Sequence, residues 1–180
     1  MASGKAWTRW GRNPGWMLGW FCAALCTIAA EGQDLTGIKC IVDGTRTCQP
    51  EWSQKYLDGD LFFCSGDAAK SFRQQMEASP SSQQALKIRA HHQLLLTGQY
   101  VQRVCPVTFR PVHSGVSARI GGLEIAFADQ ASRDQVLEEP RLADKARRIL
   151  NPKVFAVAFA PVSGPQVAAR PAESSVQDFE

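Results

Sequence analysis

Hydrophobic positions along this chain change their period several times, and each change marks an element. From Asn13 to Ala30 no charge interrupts the apolar Trp16, Leu18, Trp20, Phe21, Leu25 and Ile28, and small residues close the run. Lys5, Arg9 and Arg12 precede it, and Glu31-Gly32-Gln33-Asp34 follows as polar chain. This positive, apolar, small-residue order predicts a secretory signal over 1–30, cleaved after Ala29 or Ala30, because the apolar stretch is shorter than the ~20 residues of a membrane span. Residues 31–39 read as a loose leader. Two short apolar runs then flank Asp58-Gly59-Asp60, namely Tyr56-Leu57 and Leu61-Phe62-Phe63, which predicts a hairpin. Ser65 caps a helix through Phe72 and Met76, with Asp67 in its first turn where a carboxylate suits the helix dipole.

A second start signal, Ser79-Pro80-Ser81-Ser82, opens a helix to about Leu96 that stops at Thr97-Gly98, with Gly98 in a left-handed conformation. Ala85, Ile88, His92 and Leu95 share one face of it by three- and four-residue spacing. Beyond it the order repeats: a knuckle at Cys105-Pro106-Val107-Thr108, a hairpin over Arg119–Phe127 turning at Gly121-Gly122, and a helix capped by Asp129 through Val136. Cys64 lies 24 residues after Cys40, and Ala128 lies 23 after Cys105, which points to an internal duplication. A helix burying Leu142, Ala146, Ile149 and Leu150 and closed by Asn151-Pro152 comes next, then a strand over Val154–Phe159. Residues 161–180, rich in Pro, Ser, Gly and Ala, read as a disordered tail. The fold expected is α+β: two small hairpin-plus-helix modules, 40–78 and 99–160, joined by a helix over 79–98.

Charge changes the picture once the leading segment is set aside. The formal net charge of +3 comes from 20 basic and 17 acidic residues, and three of the basic ones lie in the predicted signal. The mature chain is then neutral, and no interleaved basic-aromatic patch suggests nucleic acid. Arg141, Lys145, Arg147 and Arg148 read as a solvated face. Contact with a membrane is expected only through the signal segment, and a protein partner of the mature chain is left open.

Four cysteines remain in the mature part: Cys40, Cys48, Cys64 and Cys105. Outside the cytoplasm they can pair, and four thiols can also hold a metal. His91 and His92 point about 100° apart on a helix and do not share an ion; His92 reads as a packed ring and His113 as a loop residue in solvent. No residue constellation suggests an enzyme, and Gly121-Gly122 is a turn, not a phosphate loop.

The stretch Tyr56–Ser65, continuing to Phe72, resembles the YHS domain and the related TRASH zinc-ribbon modules. His92–Gln99 followed by Cys105-Pro106-Val107-Thr108 looks like the linker and second module of tandem YHS-like proteins exported by planctomycete bacteria. The resemblance spans about Lys39 to Phe159 and implies treble-clef-like modules, in which a knuckle cysteine and cysteines at a helix start converge on one metal. It implies a non-enzymatic protein binding or handling zinc or copper, whose thiolates sit near 2.3 Å from zinc and equally suit copper(I). In the first module Cys40 and Cys64 match and Cys48 is extra. Ser65 and Ala68 stand where a fuller module has cysteines, and Asp67 is a poor fourth ligand. In the second only Cys105 matches, with Ala128, Asp129 and Ser132 at the helix start. The expected metal residues are therefore Cys40, Cys64 and Cys48. The alternative is a Cys40–Cys64 disulfide, stabilising by roughly 3 kcal/mol, in a metal-free structural or interaction domain of the cell envelope. Cys105 is expected as a small buried residue.

Overall fold

A computed structural model describes residues 34–78 and 80–162, apart from the side chains at 81 and 82. The predicted signal segment and all but the first two residues of the predicted tail lie outside the described residues. Among the described residues the architecture is α+β, with five helices and three separate two-stranded antiparallel pairs. No helix among the described residues is long and apolar enough to cross a membrane.

β1 (Gln49–Tyr56) pairs with β2 (Gly59–Phe63), and α1 (Gly66–Glu77) follows. Ser65 caps α1 by accepting the Ala68 N–H, as its sequence position predicts. The turn, however, is Leu57-Asp58, one residue earlier than the Asp-Gly-Asp signal suggests. Leu57 takes the left-handed conformation, φ 53°. Gly59 is freed for another purpose: a Cβ there would lie 2.7 Å from Leu94 and 2.8 Å from Gln99.

α2 (Pro80–Leu96) is the axis of the molecule. Pro80 opens it, where a missing N–H costs nothing, and Gly98 stops it at φ 68°. Its burial departs from the expected single face. Of the expected face only Ile88 is buried; Leu86, Ala90, His91, Gln93 and Leu94 are buried as well, whereas Ala85 is exposed and His92 and Leu95 are only partly covered. The reason is that both modules pack on α2, so two faces carry the core and a third is left half open.

After α2 a short β3 (Tyr100–Gln102) pairs with β6 (Phe159–Pro161). Between them lie the hairpin β4 (Ser117–Ile120) and β5 (Leu123–Ala126), then α3 (Gln130–Leu137), α4 (Leu142–Leu150) and α5 (Pro152–Ala158). Gly121 and Gly122 turn the hairpin with φ of 60° and 86°, the double left-handed turn that two glycines favour. The predicted strand Val154–Phe159 is instead mostly α5. Asn151 does not close one helix so much as cap the next, its side chain accepting the Val154 N–H at 3.1 Å, with Pro152 at the first helical position. Only Phe159 becomes strand, and Pro161, expected in the tail, continues it; Val162 N–H reaches the Gln99 carbonyl at 3.0 Å. In α4 Ile149 and Leu150 are buried as expected, but Leu142 is 57% exposed. The leader is not loose from Asp34 onward: Leu35 is buried and Lys39 bridges to Thr47.

One aromatic chain ties the halves together. Phe63 meets Phe72 at 5.4 Å, Phe72 meets Tyr56 edge-on at 6.1 Å, and Tyr56 lies 5.9 Å from His91. His91 stacks on Phe155 at 3.9 Å, and Phe155 touches both Tyr100 and Phe159. Three glutamines each seat the side-chain amide on both backbone groups of one strand residue, Gln93 and Gln99 reaching into the first half and Gln102 acting within the second. Gln93 holds Phe62 (2.9 and 3.0 Å), Gln99 holds Asp60 (2.6 and 2.7 Å), and Gln102 holds Ala126 (3.0 and 2.6 Å).

Candidate functional site

The knuckle at Cys40 is built by its own backbone. The Gly44 N–H bonds to the Cys40 carbonyl at 2.7 Å, and the Cys40 N–H bonds to the Arg46 carbonyl at 2.9 Å. Gly44 has φ 78°, which closes the loop. The result aims N–H groups at sulfur. Cys40 Sγ accepts from Val42, Asp43 and Cys64, and it also shares a hydrogen bond with the Cys64 thiol. Burial pushes the Cys40 thiol up, but these donors outweigh it, so it titrates below the ordinary cysteine value.

The knuckle at Cys105 repeats this arrangement with one residue fewer before the closing carbonyl. The Phe109 N–H bonds to the Cys105 carbonyl at 2.9 Å, and the Cys105 N–H bonds to the Arg110 carbonyl at 2.9 Å. Phe109, at the position of Gly44, takes φ 56° although it is aromatic. Cys105 Sγ accepts from the N–H groups of Val107, Thr108 and Ala128. Burial again raises this thiol, and the Thr108 hydroxyl with those N–H groups brings it below the ordinary value. Ala128 thus stands where Cys64 stands in the first module. Asp129 caps α3 as Ser65 caps α1, and Phe127 with Val136 are buried as Phe63 with Phe72 are.

Cys40 and Cys64 are therefore brought together, and Cys64 keeps one partly open side. Burial, followed by the hydrogen bond and charge of Cys40, raises the Cys64 thiol, with Arg46 pulling the other way. Cys48 is engaged elsewhere. Its thiol donates to the Phe62 carbonyl at 3.1 Å and accepts from Gln93 Nε2 at 3.3 Å. Burial pushes it up to about 12, with the charges of Cys40 and Cys64 adding to the rise. To act as a third ligand it would have to give up both core hydrogen bonds. Asp67 is exposed on the first turn of α1. Among the described residues no three His, Cys, Asp or Glu side chains are grouped to hold a metal ion.

Arginines flank both knuckles, a feature the sequence reading passed over although Arg46 and Arg110 each follow a knuckle cysteine closely. Arg46 pairs with Asp43 at 3.1 Å, beside the Cys40 and Cys64 sulfurs. Asp43 itself is held well below the usual carboxylate range by the Thr45 hydroxyl first and then by the Arg46 and Thr45 N–H groups. Arg110 pairs with Asp129. Each module therefore carries an arginine–aspartate pair, Arg46–Asp43 and Arg110–Asp129.

His92 is packed as expected, its Nε2 bonded to the Gly121 carbonyl at 2.8 Å, and His113 is exposed. The missed histidine is His91. It is fully engaged, with Nδ1 donating to the Leu150 carbonyl at 2.7 Å and Nε2 facing Tyr56 Oη at 3.3 Å. In the basic stripe, exposed Arg141 and Arg147 pair with Asp144, and half-buried Arg148 pairs with Glu139. Comparison with protein families, characterised proteins and solved structures finds no match to this chain.

Proposed function

We propose that this is an exported, non-enzymatic protein of two YHS-like, treble-clef-like modules, whose first module handles a thiophilic metal ion through Cys40 and Cys64. The observation that carries the reading is the N–H nest around each knuckle sulfur, because such donors favour the thiolate, which is the metal-binding form. Closed tetrahedral zinc does not fit this donor set: it takes four ligands, and the junction of knuckle and helix offers two thiols. Copper(I), which soft thiolates select, fits better, with Cys40 and Cys64 holding it. The second module is read as a scaffold, with Ala128 at the position of the second thiol.

Elemental analysis of the protein purified from the exported fraction without chelators tests this. Near-stoichiometric copper that disappears in Cys40→Ser, Cys64→Ser protein supports the reading. Metal-free protein carrying a Cys40–Cys64 disulfide supports the second reading, a structural or interaction domain of the envelope, which the direct thiol-to-thiol contact favours. Sequencing the exported form from its N-terminus tests the export itself: it should begin at Ala30 or Glu31.

A further inference from the structure

The half-open face of α2 does not face bulk water. Across it lies α4, and between the two runs a groove of about 450 Å³ walled by Ile88, Ile120, Leu142, Ala146, Ile149 and Leu150. It continues along the same helices into a second depression of about 490 Å³ beside Ala85 and Ala143. Each volume falls within the ~300–1,000 Å³ of small-molecule sites. The walls are aliphatic, and Leu142 hangs over the opening with more than half its surface exposed. This is the face whose spacing marks it as apolar in both helices: Ile88, Ile149 and Leu150 are buried in its floor, while Ala85, Leu142 and Ala143 are exposed at its mouth.

The rim is cationic. Arg89 borders both depressions, donates to the Ile41 carbonyl at 3.2 Å, and makes no ion pair among the described residues. Arg147 borders the second depression and shares its carboxylate, Asp144, with Arg141. We propose that the α2–α4 groove binds a single-chain amphiphile with an anionic head, its acyl chain lying between Ile88 and Ala146 and its carboxylate at Arg89 and Arg147. Apolar burial supplies the affinity and the two guanidiniums supply the choice of head group.

Calorimetric titration of the full chain with dodecanoate, below its micelle concentration, tests this, with dodecyltrimethylammonium as the comparison. Saturable one-to-one binding is expected for dodecanoate, at least ~10-fold tighter than for the cation. Arg89→Gln should erase most of that preference without changing the melting temperature. Ala146→Trp, which fills the groove, should weaken dodecanoate by ~10-fold or more. Should that variant fail to fold, the head-group comparison on the unaltered protein still decides. Equal binding of the two amphiphiles, unchanged binding in Ala146→Trp, or no saturable binding overturns the proposal. Binding of an acidic amphipathic helix in place of dodecanoate would assign the groove to a protein partner and overturn it as well.

Discussion

A sulfur ringed by N–H donors costs the chain a buried polar centre, and the four cysteines resolve that cost differently. Cys40 and Cys105 hold their sulfurs in a nest, Cys48 donates its proton into the core, and Cys64 keeps a partly open side. In the reduced, metal-free protein, alkylation followed by mass spectrometry should therefore mark Cys64 first and leave Cys48 and Cys105 for the unfolded state. Depressed titration does not make Cys40 or Cys105 reactive, since a buried thiolate meets no reagent. His91 makes a second residue-scale prediction. Burial first, and the Lys87 charge after the opposing Leu150 hydrogen bond, lower its pKa, so the folded protein binds its proton later than the unfolded chain does. That stability is present above the unfolded value of about 6.5 and is lost as pH falls from there toward the folded value. Urea midpoints should drop over this interval, and less so in His91→Gln. The approach of Cys40 to Cys64 was implied by the family resemblance. The roles of Cys48 and His91 were not, because their partners Gln93 and Leu150 lie 45 and 59 residues away.

Elements were most legible where one residue has one job. Ser65, Asp129, Gly98 and the Gly121-Gly122 turn all act as their types demand. Misreadings arose where one signal serves two ends. Asn151-Pro152 looks like a stop and is a start, and Gly59 looks like a turn residue and is a close approach. β3 has only three residues and exists because β6 pairs with it, so no local period announces it. Two substitutions measure these terms. Asn151→Ala, which removes the α5 cap, should cost about 1 kcal/mol in denaturant unfolding. Leu57→Gly should stabilise the first hairpin by about 1 kcal/mol, because Leu57 is exposed and pays a left-handed penalty that glycine does not. An unchanged midpoint for Leu57→Gly would mean the turn relaxes.

For the whole molecule, the two halves are not independent bodies, since α2 packs on elements of both and His91 touches Tyr56 on one side and Phe155 on the other. Phe72→Ala, costing about 3–5 kcal/mol, and Val136→Ala in the corresponding place should lower one shared thermal transition instead of splitting it. Two separate transitions in calorimetry would refute a common core. The three glutamines have one more consequence. Each two-stranded ribbon has an unpaired side on which a strand of a neighbouring chain can grow. Gln93 and Gln99 occupy that side of β2, and Gln102 occupies the matching place in β5. Side-chain amides thus stand in for a missing third strand, and strand-upon-strand polymer is not expected to start from the outer edges of β2 and β5. Gln99→Leu, which bares the N–H and carbonyl of Asp60, should be the variant in which light scattering first rises.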